Sequence, residues 1–252
     1  MLTTDHSPLQ WRITMSQTVT LRIYRRDPDL DAAQKYQNYQ IELTPGLTVL
    51  MALYHLLENV DKTLAFRSSC RSAVCGSCGM HINGKNRLAC ETQLAPLGNE
   101  VLIEPLPHLP VLKDLVVDMT TFWDKYERVR PYLISLNAPP EKERLQNIED
   151  RKKIDEFIDC ILCACCHSSC SLDWWDKEYL GPAALGKAYR FVADSRDEGG
   201  IERLKIVANE EGVFRCHTIF NCTEECPKKI SPTFAIQEMK KKVLVAKLTG
   251  RM

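Results

Sequence analysis

Alternating apolar and polar residues near the start of the chain predict two β-strands. In residues 19–24, and again in residues 39–43, apolar side chains occupy every second position. A period of two residues places these side chains on one face of a half-buried strand. We therefore expect the two segments to pair with each other.

A helix and a second hairpin are predicted after these strands. Behind the Pro45-Gly46 turn, residues 49–57 have apolar side chains at helical spacing, and Thr48 is suited to cap a helix that runs to about Asn59. Asn83-Gly84 lies between two short strand-like runs, which is a strong signal for a two-residue hairpin, and residues 101–104 supply a further strand. This succession predicts a compact domain of strands, one helix and a hairpin.

The second half of the chain is predicted to be helical. Prolines interrupt the chain around residues 105–110, and helices are predicted at 114–130, 143–157, 183–195 and 233–247. Ser231 as a cap and Pro232 in the first helical position suit the start of the last helix. The predicted fold class is α+β, and the domain boundary falls within the linker, the segment 106–141 that joins the two halves. The predicted units are an N-terminal extension at 1–17, a first domain at 18–120 and an all-helical domain at 121–252.

Charge and hydropathy exclude some functions. The 33 Lys and Arg residues balance 33 Asp and Glu residues, so no net charge points to nucleic acid as a partner. A locally basic C-terminus is a plausible docking surface; its members are Lys228, Lys229, Lys240, Lys241, Lys242, Lys247 and Arg251. The chain has no run of about 18 apolar residues, so we expect any membrane attachment to come through partners.

Twelve cysteines dominate the candidate chemistry. Residues 1–17 lack the long apolar stretch of a signal peptide, so we expect reduced, metal-bound thiolates in place of disulfides. The first group consists of Cys70, Cys75, Cys78 and Cys90, with the spacing C-x4-C-x2-C-x11-C. This spacing is typical of a plant-type 2Fe-2S centre, and Gly76 and Gly79 would let the backbone approach the sulfides. The alternatives are a zinc knuckle or unbonded core cysteines.

Two further cysteine runs nearly repeat one another. Cys160, Cys163, Cys166 and Cys170 are spaced C-x2-C-x2-C-x3-C. Cys216, Cys222 and Cys226 fit the same pattern, except that Ile219 occupies the second position. A duplicated ferredoxin pattern predicts two cubane-type clusters, and an aliphatic residue in a ligand position predicts that one of them lacks an iron.

The ligands of these two clusters are predicted to cross between the runs. In two-cluster ferredoxins, the last cysteine of each run binds the cluster of the other run. The predicted 4Fe-4S ligands are therefore Cys160, Cys163, Cys166 and Cys226. The predicted 3Fe-4S ligands are Cys170, Cys216 and Cys222. Cys165 has no place in this scheme and is interpreted as a packed structural thiol. Two structural zinc sites are the alternative.

Four segments of the chain resemble the iron-sulfur subunits of succinate dehydrogenase, respiratory complex II. They are CRSAVCGSCGMHINGKNRLAC at 70–90, CILCACCHSSC at 160–170, DWWDKEYLGPAALGKAYRFVADSRD at 173–197 and RCHTIFNCTEECPK at 215–228. The resemblance covers about residues 18 to 247. It implies a β-grasp domain docked on an FAD-containing flavoprotein that oxidises succinate. It also implies a helical, bacterial-ferredoxin-like domain docked on a membrane anchor that holds quinone and in some cases haem b. The implied electron order is flavin, 2Fe-2S, 4Fe-4S, 3Fe-4S and quinone.

The same resemblance places part of a quinone site on this chain. The matching positions are Trp174, Trp175, His217 and Ile219, with the indole N–H of Trp175 as the expected donor to a quinone oxygen. Packing alone is the alternative for the two tryptophans. His217 is otherwise a local cap, and His167 is expected to be a solvated neighbour of its cluster. Ser171 departs from the family, which usually has proline there, and this puts the pocket wall and the quinone type in doubt.

Substrate chemistry is expected to occur on another chain. No G-x-G-x-x-G dinucleotide motif and no acid/base constellation for oxidising a carboxylic acid is evident. A fumarate reductase subunit, working in the reverse direction, is the alternative within the same class, and a zinc-bound interaction module is the alternative from another class. Residues 1–17 make a poor mitochondrial presequence, so the cytoplasmic face of a bacterial inner membrane is the expected location and the matrix side of the mitochondrial inner membrane is the alternative.

Overall fold

The computed structural model describes residues 17–30, 33, 35–138 and 140–252. The predicted extension at 1–17 lies outside these residues, apart from Gln17.

A five-stranded mixed sheet forms the first part of the chain. Its strands are β1 (Thr18–Arg25), β2 (Lys35–Glu42), β3 (Gly79–Ile82), β4 (Lys85–Leu88) and β5 (Glu100–Glu104). They lie in the order β2-β1-β5-β3-β4, with β1 and β5 parallel and the other neighbours antiparallel. The predicted pairing of the first two strands is confirmed. Asn83 and Gly84, with φ of 46° and 76°, form the predicted turn between β3 and β4.

Helix α1 (Val49–Asn59) covers one face of this sheet. The Oγ1 atom of Thr48 accepts a hydrogen bond from the Met51 N–H at 3.2 Å, which satisfies one of the free donors at the start of the helix. Leu53 and Leu56 are fully buried in the core that the helix shares with the sheet. The predicted helix and its cap are confirmed.

The predicted helix at 114–130 is wrong in its first part. Residues 111–117 form two short antiparallel strands, β6 (Val111–Lys113) and β7 (Val116–Val117), and helix α2 spans Thr120–Arg128. Asp114 turns the chain between these strands with a φ of 45°. Its buried carboxylate accepts hydrogen bonds from the backbone N–H groups of Arg26 and Ala65, both at 2.9 Å. These tertiary contacts outweigh the local helical pattern.

The predicted helix at 143–157 is divided into two shorter ones. Helix α3 spans Ile148–Lys152 and α4 spans Asp155–Ile158. Asn147 caps the first of them, because its Oδ1 accepts a hydrogen bond from the Asp150 N–H at 2.7 Å. The chain then turns so that Ile154 is fully buried, which interrupts the helix.

The other regular elements among the described residues of the second half are helices. The short helices α5 (Cys165–Ser168), α6 (Ser171–Trp175) and α9 (Asn221–Glu224) belong to the cysteine runs, and the longer ones are α7 (Gly181–Val192), α8 (Gly200–Val207) and α10 (Pro232–Leu248). Ser231 caps α10 as predicted, with its Oγ accepting from the Phe234 N–H at 3.3 Å. In the part of the chain that the structure describes, no helix combines the length and apolar character needed to cross a membrane.

Candidate metal centres

The first cysteine group lies on the loop between α1 and β3, with Cys90 just after β4. The backbone N–H groups of Val74 and Cys75 each donate to the Sγ of Cys70 at 3.3 Å, and that of Ala73 donates to the Sγ of Cys90 at 3.3 Å. Ala73 has a φ of 55°, which turns its N–H group toward the sulfur. The loop therefore surrounds its thiols with donors that stabilise negative charge.

The pKa values of this group follow from its surroundings. Hydrogen bonds, first among them one from the backbone of Cys70, lower the pKa of Cys75 to about 6. Burial raises the pKa of Cys78 to about 12. Four thiols, three of which accept hydrogen bonds from backbone N–H groups, suit an iron-sulfur cluster, whose iron would keep every thiol deprotonated.

The two later runs repeat each other in backbone conformation as well as in sequence. Leu162 and Ala164 have φ values of 54° and 64°, and Thr218 and Phe220, at the same places in the second run, have 61° and 71°. Each run then forms a four-residue helix, α5 in the first and α9 in the second. The repeat predicted from the cysteine spacing is therefore a repeat of structure.

The last cysteine of each run lies beside the other run. Burial is the main reason why the pKa of Cys226 is raised, and the nearby charges of Cys163 and Cys160 add to it. Burial likewise raises the pKa of Cys170 to about 11, with a contribution from the charge of Cys222. The structure thus brings together the thiols that the crossed scheme groups, and their assignment to particular clusters stays a prediction.

The thiols predicted to bind the 3Fe-4S cluster surround one cavity. Cys170, Cys216 and Cys222 line it together with Ile219 and Ser171, and it has a volume of about 20 Å³. Helix α10 supports the wall, because Lys240 Nζ donates to the Cys216 carbonyl at 2.8 Å. Within the described residues, no three or more His, Cys, Asp or Glu side chains converge on one point to hold a single metal ion.

Cys165 is fully buried, as its interpretation as a structural thiol requires. It also has a role that the sequence does not indicate. A hydrogen bond from the side chain of Cys165 is the main cause that lowers the pKa of Cys163. The extra thiol therefore supports the charge of a predicted ligand.

The loops of the first and second cysteine groups are in direct contact at two glycines. A Cβ atom on Gly76 would lie 2.8 Å from the Ile161 carbonyl oxygen, and one on Gly79 would lie 3.0 Å from that of Cys163. The sequence predicts that these glycines make room for sulfide. The structure shows that they also make room for the neighbouring loop, so the two cysteine loops touch through their backbones.

Asn86 on β4 contacts both of the later cysteine runs, 160–170 and 216–226. Its buried Nδ2 donates to the carbonyl of Cys165 at 3.0 Å, and its backbone N–H donates to the carboxylate of Glu225 at 3.0 Å. His81 Nδ1 lies 2.7 Å from Asn86 Oδ1 and orients the amide. One residue of the sheet thus holds both arms of the predicted 4Fe-4S ligand set. No sequence pattern marks it.

The predicted quinone residues lie on an exposed surface near the third cysteine set, which consists of Cys170, Cys216 and Cys222. Trp174 and Trp175 are 51% and 80% exposed, and Ile219 is 50% exposed. His217 is exposed as well and lines the same cavity wall as Ile219. The ring of Trp174 stacks on His108, with 4.8 Å between centroids. The structure leaves all four side chains accessible to a partner or ligand.

The prediction that His167 is solvated is wrong. Its ring is buried, and its Nε2 lies 3.0 Å from the Oδ2 of Asp173, whose Oδ1 is 2.6 Å from the Nζ of Lys125. Burial lowers the pKa of His167 to about 3, so the ring is neutral. Burial raises the pKa of Asp173, and the hydrogen bond from Lys125 opposes that shift. Sequence reasoning misses Lys125 and Asp173, because nothing in the local pattern reveals a partner on a distant helix.

Comparisons with known proteins agree with this geometry. Residues 20–124 match a family described as a 2Fe-2S iron-sulfur cluster binding domain, and residues 156–230 match a 4Fe-4S dicluster domain. The succinate dehydrogenase iron-sulfur subunit of Paracoccus denitrificans is 46% identical over 220 residues, which cover 86% of this chain and 85% of that protein.

Two solved structures are also similar. A chain of the Mycobacterium smegmatis Sdh1 complex in the apo form matches with a TM-score of 0.80 and 29% identity, covering 92% of this chain and 98% of that one. A hypothetical protein from Helicobacter pylori, with a TM-score of 0.50 and 16% identity, covers 89% of this chain and 39% of its own, and shows similarity of fold alone.

Proposed function

The chain belongs to the family of succinate dehydrogenase iron-sulfur subunits, and from this premise we propose that it is the electron-transfer subunit of a succinate:quinone oxidoreductase. The order of electron transfer would be flavin, 2Fe-2S, 4Fe-4S, 3Fe-4S and quinone. The observation that carries this proposal is the direct contact between the first two cysteine loops at Gly76 and Gly79, because electron transfer requires closely spaced carriers.

The 2Fe-2S and 4Fe-4S clusters are supported by the two family matches. When bound, such clusters supply one-electron carriers between a two-electron flavin and a quinone. The proposed ligands are those of the sequence scheme: Cys70, Cys75, Cys78 and Cys90 for the first cluster, and Cys160, Cys163, Cys166 and Cys226 for the second. The backbone N–H groups around Cys70 would tune the potential of the first cluster.

A 3Fe-4S cluster is proposed for Cys170, Cys216 and Cys222. The aliphatic side chain of Ile219 in their shared cavity supports this, because it supplies no ligand for a fourth iron. Three thiolates give less negative charge than four, which favours a higher reduction potential than that of the 4Fe-4S neighbour. Electrons would therefore collect at the proposed 3Fe-4S cluster.

The quinone is proposed to bind beside this cluster, near Trp174, Trp175, His217 and Ile219. Their exposure supports a site that is completed by another subunit. We propose a flavoprotein and a membrane anchor, with or without haem b, as the partner subunits, and the cytoplasmic face of a bacterial inner membrane as the location. The family of the chain supports these proposals.

The test is to purify the chain together with the subunits encoded beside it and to measure electron transfer in both directions. We expect succinate to reduce a quinone analogue faster than a quinol analogue reduces fumarate. Iron analysis and EPR of the same sample should show three cluster signals. A faster fumarate reduction would reverse the proposed direction, and a colourless zinc-loaded chain would overturn the electron-transfer role itself.

A further inference from the structure

Three polar side chains meet inside the helical domain, beside the first of the two ferredoxin-like cysteine runs. Lys125 comes from α2, His167 from α5 and Asp173 from α6, and all three are at least 90% buried. The distances are 2.6 Å from Lys125 Nζ to Asp173 Oδ1 and 3.0 Å from His167 Nε2 to Asp173 Oδ2. Burying an ion pair costs free energy that apolar residues would not require, so a role in fixing geometry is the natural explanation.

The surrounding residues enclose this network. Gly181, with a φ of 79°, begins α7 against it, and a Cβ atom there would lie 3.0 Å from Asp173 Oδ1. The edge-on ring of Phe122 covers His167, with 5.3 Å between centroids. The network therefore has little freedom to rearrange.

Helix α6 is attached to the interior by this network and by Leu172, which packs against the helical core. Asp173 is the one buried residue among the five of Ser171–Trp175, and the side chain of the preceding Cys170 makes no capping hydrogen bond. Trp174 and Trp175 follow directly and project outward, and the stacking of Trp174 on His108 adds an aromatic support from outside the helix. Asp173 therefore anchors the exposed tryptophan pair to the protein interior.

We propose that the buried Lys125–Asp173–His167 network positions the residues of this chain that are proposed to contact quinone. It fixes α6, and through α6 it sets the orientation of Trp174 and Trp175 beside the cavity of the third cysteine set. Lys125 and Asp173 are thus positioning residues that act through the tryptophans. This inference rests on the proposed function, because it assumes that the tryptophans contact quinone.

The test uses the purified complex with Asp173→Asn, Lys125→Met and the double variant. Each single change leaves a polar partner buried without its counter-charge, whereas the double change removes both charges. We expect each single variant to raise the quinone KM about tenfold while kcat stays within about twofold, and the double variant to recover a KM within about threefold of the original.

Asp114→Asn is the matched control, because Asp114 is also a buried carboxylate paired with a cation, Arg25, at 3.0 Å in the first domain. It should lower thermal stability and leave the quinone KM unchanged. Single variants that lose thermal stability without a change in quinone KM would overturn the inference, and so would a double variant no better than either single one.

Failure of this inference can be told apart from failure of the proposed function. Trp175→Leu is measured in the same assay. If it raises the quinone KM and Asp173→Asn does not, the network has no positioning role. If neither change affects the quinone KM, the quinone site itself is misplaced. If Asp173→Asn prevents assembly, Lys125→Met and the double variant carry the comparison.

Discussion

At position 219 the second cysteine run has an isoleucine where the first run has Cys163. The backbone around both positions has the same left-handed turns, so the difference lies in the side chain and not in the path of the chain. A thiolate at that point would face the cavity that Cys170, Cys216 and Cys222 already line. In the proposed ligand scheme, this one side chain would separate a three-iron site from a four-iron site.

The first prediction concerns this residue. Ile219→Cys should favour a 4Fe-4S cluster and lower the reduction potential there, because a fourth thiolate adds negative charge and a ligand for iron. EPR of the oxidised complex measures the change as a loss of the 3Fe-4S signal. Ile219→Val keeps an aliphatic side chain and should keep that signal. An undiminished 3Fe-4S signal in the cysteine variant would contradict the prediction.

Single residues also show where sequence reasoning is effective. Cysteine spacing is local, so the order of residues alone indicates the three groups and the repeat. Asn86 and Asp173 act through partners far away in the chain, and nothing in the residues around them encodes these contacts. The burial of His167 cannot be predicted for the same reason.

Among the elements, those whose stability is local are predicted well. Helix α1, the turn at Asn83-Gly84 and the cap at Ser231 each depend on residues a few positions apart. The prediction for the segment around Asp114 is wrong, because its conformation is set by hydrogen bonds from Arg26 and Ala65, which lie far off in sequence. Helical periodicity carries no information about such contacts.

The second prediction concerns the contact between the two cysteine loops. Gly76→Ala should destabilise the protein and slow the reduction of the later clusters by succinate, because its Cβ would lie 2.8 Å from the Ile161 carbonyl oxygen. Stopped-flow absorbance and thermal unfolding measure these effects. The first cluster should still be reduced, since its own ligands are unchanged.

Gly84→Ala is the control for this change. Gly84 has nearly the same φ, 76° against 73° for Gly76, but a Cβ atom at position 84 would meet no atom within 4 Å. The backbone strain of about 1–2 kcal/mol is therefore common to both variants. Equal effects of the two substitutions would show that strain, and not the loop contact, is responsible.

At the scale of the whole molecule, the three cysteine groups form a series. The first group, Cys70 to Cys90, lies on the sheet domain, and the run at 160–170 contacts it at Gly76 and Gly79. The thiols of Cys170, Cys216 and Cys222 lie near the exposed tryptophans. A core cluster that includes Leu106, Phe122 and Ala164 joins the linker to the second cysteine group. The two domains therefore meet where the proposed electron path crosses between them.

The third prediction concerns the end of this path. Trp175→Leu should lower quinone affinity about tenfold, the effect of losing roughly one hydrogen bond, while succinate still reduces the clusters. Steady-state kinetics with a quinone analogue and EPR after succinate addition measure the two parts. Trp123→Leu changes another partly exposed tryptophan, which lines the cavity between the cysteine loops, and should leave quinone affinity unchanged. Loss of every cluster signal in Trp175→Leu would assign that residue a structural role.

The positions of Cys170 and Cys226 beside the opposite runs also bear on how the chain is assembled. With the crossed ligands, each cluster would tie together two segments between which α7 and α8 lie. Each bound cluster would then act as a cross-link. It would close a long loop and restrict the unfolded chain, as a disulfide does. Maturation of the cofactors and folding of the helical domain would therefore be one process.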